Sequence, residues 1–168
     1  MLLYIVRHGI AIDREDPKCP SDPERYLTAE GTQKTKEVAK SVAKIIDSPK
    51  LFISSPYVRA VQTGEIFAEA LEFSKAKIEK SDLLLPGAEP SGFLRELTRK
   101  KSVESVMCFG HAPHLDELVS AALGAKKDVT ELKKAGVACI DLSRVHAGAG
   151  KLLWLITPGV ARKLCKGK

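Results

Sequence analysis

Arg7, His8, Arg59 and His111 are residue types that can hold and attack a phosphoryl group. Arginine presents a planar fork of donors that matches phosphate oxygens. A neutral imidazole is a nucleophile that forms a covalent intermediate. Phosphoryl transfer asks for an in-line nucleophile and for positive charge around the equatorial oxygens. Two arginines and two histidines can supply both, with one histidine neutral to attack and the other a cation that binds oxygen. The four lie far apart in the chain, so the fold has to bring them together.

The elements that would do so are legible in the hydrophobic pattern. Leu2 to Val6 is a short apolar run that ends on Arg7-His8-Gly9, which reads as a buried strand. Ile10 to Arg25 is a polar, proline-containing loop. Thr28, Glu30 and Gly31 open a helix to about Asp47, with Val38, Val42, Ile45 and Ile46 as its apolar stripe. Leu51 to Ser54 is a second strand. Ser55 then caps a helix with Pro56 at its first position, running to about Leu71 and placing Ala60, Gly64, Phe67 and Leu71 on one face. Ile78 to Leu85 is ambiguous and fits a short strand; Pro86 to Pro90 is a loop; Ser91 caps a helix to about Lys101. Val103 to Phe109 is an apolar strand, and Gly110-His111-Ala112-Pro113 turns into a helix ending near Gly124. Val137 to Leu142 and Leu152 to Ile156 are late strands joined by a hairpin connection around Gly148 and Gly150.

Strands alternating with helices indicate an α/β fold, a three-layer α/β/α sandwich with a mostly parallel central sheet that the late hairpin makes mixed. The 168 residues suit one domain spanning 1–168. The ends at Arg7-His8-Gly9, Ser54 to Arg59 and Gly110-His111 then fall at one edge of the sheet, where such folds bind ligands. Helix starts follow the second and third ends, and their free N–H groups and dipoles favour an anion.

Arg7-His8-Gly9 on a first strand resembles the signature of the histidine phosphatase superfamily, the phosphoglycerate mutase-like proteins. Ser54-Ser55-Pro56-x-x-Arg59-Ala60-x-Gln62-Thr63 resembles its second block and Gly110-His111 its third. Leu27-Thr28-x-x-Gly31, His111-x-Pro113 and Leu152-x-Trp154-x-x-Thr157-Pro158 resemble the SixA-type phosphohistidine phosphatases. Carried over, the resemblance implies that His8 is the phosphorylated nucleophile and that Arg7, Arg59 and His111 hold the phosphoryl group, with Ala112 beside them. Gln62 and Thr63 read as packing and local hydrogen-bonding residues. The resemblance implies no metal and no cofactor. It points to a histidine-phosphorylated protein, such as a phosphotransfer domain, as the partner.

Many phosphomonoesterases of the superfamily place a glutamate acid after the second helix. Here that region reads Asp82 to Glu89, and no glutamate is in register, though Asp82 or Glu89 could serve. Without a proton donor an alkoxide leaves slowly. The P–N bond of phosphohistidine is labile, so this departure favours phosphohistidine. The alternatives are a small-molecule phosphomonoesterase of the same superfamily and a non-catalytic phosphoprotein-binding module. The retained His8 argues against the latter.

Other patterns read as bland. Cys19 to Arg25 matches a Cys-x5-Arg spacing, but Pro20 and Pro23 lack the N–H donors a phosphate cradle needs, and Asp22 and Glu24 repel an anion. Gly148 to Lys151 lacks the hydroxyl residue of a P-loop. His114 reads as exposed or helix-capping, or as lining the pocket mouth, and His146 as a loop residue. Cys19, Cys108, Cys139 and Cys165 show no metal-ligand spacing, and two of the four lie in apolar stretches. A reducing compartment, a start at Met1 to Arg7 too short for a signal peptide before the charged motif, and the lack of a long apolar run together imply a cytoplasmic protein. The net charge is +6, with Arg162, Lys163, Lys166 and Lys168 near the end. Lysines interspersed with acids read as a solvated surface, the alternative being a docking surface for a phosphorylated protein, with neither nucleic acid nor membrane as partner.

Overall fold

The computed structural model describes residues 1–100, 102–142, 148 and 150–166, with side chains described as far as 164 within the last helix. The predicted end of the third long helix at Lys101, the loop reading of His146, most of the late hairpin connection and Lys168 lie outside those residues, as do the side chains of Cys165 and Lys166. Six strands form one sheet: β1 (Leu2–Arg7), β2 (Leu51–Ser54), β3 (Glu79–Lys80), β4 (Ser105–Gly110), β5 (Val137–Asp141) and β6 (Lys151–Ile156). Their order is β3-β2-β4-β1-β5-β6. The first four are parallel, while β5 runs antiparallel to β1 and β6 to β5. β1 and β4 are buried along most of their length, as expected of parallel strands covered on both faces.

Among the described residues five α-helices cover the sheet: α1 (Ala29–Val42), α2 (Val58–Ala70), α3 (Pro90–Arg99), α4 (His114–Leu123) and α5 (Pro158–Lys166). Side-chain alternation along β1 divides the core. Leu3 and Ile5 point into a cluster with Phe93, Leu97, Leu115 and Leu118, so α3 and α4 form one outer layer. Tyr4 and Val6 point into a second with Val38, Phe67, Phe109 and Ala161, so α1, α2 and α5 form the other. This is the three-layer α/β/α arrangement with a mixed, mostly parallel sheet.

The local chemistry explains the boundaries. Thr28 caps α1 through its side chain, accepting from the Gly31 N–H at 2.9 Å. Gly31 is required: a Cβ there would lie 2.0 Å from the Ile10 carbonyl oxygen. Gly124 ends α4 in the left-handed region at φ 71°. α1 stops at Val42 instead of reaching Asp47, because the next N–H groups fold back three residues (Lys44 to Ser41, Ile45 to Val42), and Ile45 is left exposed. Ser55 does not cap α2. The N-cap is Tyr57, and the Ser55 hydroxyl faces His111 instead. Residues 78–85 resolve into the two-residue β3 and a 3-10 turn at Asp82–Leu84. α3 starts at Pro90 with Glu89, not Ser91, as N-cap.

The last helix was not expected from the pattern. α5 packs on α1 through the Ser41 hydroxyl, which donates to the Ala161 carbonyl at 2.6 Å, and through Arg162, which donates to Glu37 at 2.6 Å. Part of the basic tail is thereby drawn into the fold. Among the described residues no helix is long and apolar enough to cross a membrane.

Candidate active site

Registers place the site. Arg7 of β1 pairs with Gly110 of β4, and Ser54 of β2 pairs with Phe109. The chain leaves all three strands at one level, tied by His8 N–H to Gly110 O at 3.0 Å and Ser55 N–H to Phe109 O at 2.9 Å. His8 and His111 are each the first residue past their strands, so their rings meet at 5.1 Å between centroids. Arg59 enters from the first turn of α2. Arg7, His8, Arg59, His111 and Ala112 line one open cleft of about 410 Å³.

His8 is buried, and its Nδ1 lies 2.7 Å from the Gly9 carbonyl oxygen. That oxygen can only accept, so Nδ1 carries the proton and Nε2 the lone pair. Burial pushes the His8 pKa down to about 4; the charges of Arg59, Arg7 and Lys134 push it the same way, and the Gly9 contact opposes. The imidazole is therefore neutral near pH 7. The backbone around it is fixed: Gly9 N–H donates to Thr63 Oγ1 at 3.1 Å, and Thr63 donates to the Arg59 carbonyl at 2.7 Å. A Cβ on Gly9 would lie 2.4 Å from Thr35 Oγ1, so only glycine fits. Gln62 accepts from Leu27 N–H at 2.7 Å, tying the loop to α2.

His111 is also buried, with Nε2 2.9 Å from the Ser55 hydroxyl and the Tyr57 ring edge-on at 5.2 Å. Burial, then the neighbouring His8 and Arg59, lower its pKa to about 3. In this structure it is neutral rather than a cation, and an arriving dianion would raise it. Arg7 donates to the Leu132 carbonyl at 2.6 Å. Arg59 donates to Asp22 through its carbonyl at 2.5 Å and its carboxylate at 3.2 Å. Burial opposes ionisation of Asp22, but hydrogen bonds from Arg25, Arg59 and Arg14 and the charge of Arg59 hold it at about 2. Arg7 Nε, Arg59 Nε and His111 Nδ1 are buried without a partner. Buried polar atoms are nearly always hydrogen-bonded. Three unmatched nitrogens on the residues of one cleft suit the oxygens of an anion.

Asp82 and Glu89 do not line this cleft; its carboxylates are Asp13 and Glu15, both exposed on the loop after β1. Lys134, Arg14 and Arg25 line it too and carried no sequence signal as cleft residues. Lys134 sits in a polar stretch without a motif, and Asp22, which orients Arg59, lay within the rejected cysteine pattern. His114 is neither exposed nor on the cleft: it is 1% exposed in α4, with both ring nitrogens unpartnered. Cys108 and Cys139 are buried free thiols, as small core residues should be. Among the described residues no group of three or more histidines, cysteines or carboxylates could hold a metal ion.

Comparison with known proteins bears on the family and the fold. A model of the histidine phosphatase superfamily, branch 1, matches residues 3–84. An uncharacterised protein from Picosynechococcus sp. is 33% identical over 162 residues, covering 94% of this chain and 96% of that one. A phosphohistidine phosphatase SixA homolog from Haemophilus influenzae is 25% identical over 141 residues, 77% of this chain and 82% of its own. The structure of the protein histidine phosphatase SixA complexed with tungstate superposes with a TM-score of 0.81 at 24% identity, covering 95% of this chain and 98% of that one. With the strand-end histidines and arginines already in place, these likenesses make the chain a member of the histidine phosphatase superfamily, of SixA-type architecture.

Proposed function

We propose that the protein removes phosphoryl groups from phosphohistidine in other proteins, by way of a covalent phosphohistidine on His8. Nε2 of His8 attacks phosphorus, the P–N bond to the substrate imidazole breaks, and that ring, already protonated on its other nitrogen, takes the bonding pair and leaves as neutral imidazole. Water then attacks the phosphorus on His8, releasing inorganic phosphate and the free imidazole. Arg7, Arg59 and His111 bind the phosphoryl oxygens throughout, with Ala112 forming part of the wall. No cofactor is needed for either step. His111 gains a proton or shares one as the dianion arrives, since a nearby negative charge favours its cationic form.

The observation that carries this reading is the His8 imidazole: neutral, locked by Gly9 in the tautomer that leaves Nε2 its lone pair, and set among three unmatched nitrogens. The choice of phosphohistidine over phosphate esters is supported by where the acids lie. Asp82 and Glu89 are outside the cleft, and Asp13 and Glu15 are exposed at it. A poor leaving group would depart slowly there, while imidazole leaves readily. The openness of the cleft suits a protein surface. The buried free thiols fit the reducing cytoplasm.

A leaving-group series tests the reading. kcat/KM should be highest for phosphohistidine, lower for esters of activated phenols and lowest for sugar phosphates. Asp82→Asn, Glu89→Gln, Asp13→Asn and Glu15→Gln should each keep phosphohistidine turnover within about tenfold of the parent, since a true general acid contributes roughly 10²–10⁴-fold. A flat series, with collapse on removing one carboxylate, would place the protein among the small-molecule phosphomonoesterases.

A further inference from the structure

Beside the cleft runs a second groove, about 450 Å³ in volume, between the start of α1, the approach to β5 and the start of α5. Its charged lining is five cations, Arg7, Lys34, Lys133, Lys134 and Arg162, against one carboxylate, Glu131. Arg7 and Lys134 line the cleft as well, so the groove and the cleft adjoin. Lys134 makes no ion pair among the described residues.

We infer that this groove receives acidic side chains of the substrate protein that flank its phosphohistidine, an inference that rests on the phosphohistidine reading above. The layout of the charges selects carboxylates on an extended chain over a second phosphate. A compact phosphate asks for guanidinium forks converging on a point. Here the cations come from four separate segments, and three of the five are lysines, which act as separate point charges. The outer three cations are each already matched to a carboxylate of the chain itself: Lys34 to Glu30, Lys133 to Glu131 and Arg162 to Glu37. Lys34, Lys133 and Arg162 are part-exposed, at 34%, 56% and 38% of their side-chain surface. Such pairs contribute little and exchange readily, so an acidic substrate segment can replace the intramolecular partners. Cations at a rim speed encounter with an oppositely charged partner and select it, and they do so less in high salt.

The test uses three phosphohistidine peptides of equal length, with acidic, neutral or basic residues flanking the histidine, and phosphoramidate as the small substrate. For the parent, kcat/KM should favour the acidic peptide over the neutral one by about tenfold at low salt, and the preference should fade near 0.5 M salt, roughly where screening shortens to a few ångströms. Lys34→Gln with Lys133→Gln should cut the preference to about threefold or less through KM, with phosphoramidate turnover unchanged. Adding Arg162→Gln should remove it; because Arg162 also joins α5 to α1, the double variant carries the test if the triple one is unstable. Equal rates on acidic and neutral peptides, an unaltered preference in the double variant, or tighter inhibition by a small bisphosphate than by an acidic peptide would each overturn the groove alone. Failure of the parent to cleave any phosphohistidine peptide, while sugar phosphates turn over, would overturn the phosphohistidine reading and the groove with it.

Discussion

The carboxyl ends of β1, β2 and β4 and the layer beneath them are built from the same strands to opposite rules. Below, Val6, Phe67, Met107 and Phe109 are sealed from solvent and belong to one apolar cluster. Two residues further on, His8 and His111 are buried but polar, and Arg7, Arg59 and His111 carry buried nitrogens without a partner. The lower layer supplies stability through apolar burial. The upper end gives some of it back, because a buried polar atom without a partner costs about 1–3 kcal/mol. A single fold thus separates its holding part from its candidate site by two residues at the ends of β1 and β4.

Removing His8 should break the upper end and leave the lower intact. His8→Ala is expected to lower turnover by roughly a thousandfold or more, as loss of a covalent nucleophile does. Label from a radioactive phosphoryl donor should no longer appear on the protein. Urea unfolding should move by no more than about 1 kcal/mol, because the side chain makes one hydrogen bond to its neighbour. Substantial turnover by the variant would remove His8 from the mechanism.

The opposite result is expected one layer down. Phe67 is fully buried between α2 and the sheet and packs on Phe109, 5.7 Å between ring centroids. Phe67→Ala should cost about 3–5 kcal/mol in unfolding free energy. Per folded molecule, kcat should stay within about threefold of the parent if the two layers are independent. A kcat loss like that of His8→Ala would mean that packing and chemistry are not separable here.

His114 sharpens the boundary, being polar and unpartnered but off the cleft. Burial lowers its pKa, as it does for His8 and His111. All three bind a proton more readily unfolded than folded. Stability should therefore be greatest above the ordinary histidine value of 6.5 and fall as the pH drops from there towards 4. His114→Leu should raise unfolding free energy at pH 7 by about 1–2 kcal/mol and make the acid-side loss shallower, with activity within about twofold. Urea titrations at several pH values read all of this. A destabilised variant would show that the ring does more than fill space.

Much of this molecule was legible before folding because its signals are local. Val6 to Gly9, Leu51 to Arg59 and Val106 to His111 each couple an apolar strand to a basic or nucleophilic residue at its end, and strand length and helix onset depend on neighbours in the chain. Helix ends were less legible. α1 stops short of Asp47 and leaves Ile45 in solvent because the last turn tightens, a choice made by backbone geometry and not by residue type. Ser55 carried every mark of a cap, yet its hydroxyl serves His111, which lies 56 positions away.

What the sequence by itself determined is the set of residue types in the candidate site and the α/β order that carries them. Tertiary structure alone decided their states and neighbours. His8 is neutral because folding buries it and brings Arg59 and Arg7 close, and no window of sequence contains that desolvation. Asp22 holds Arg59 across 37 positions, and Arg7 shares a wall with Lys134 through the pairing of β1 with β5. Burial and charge act through space, over distances that chain separation does not encode.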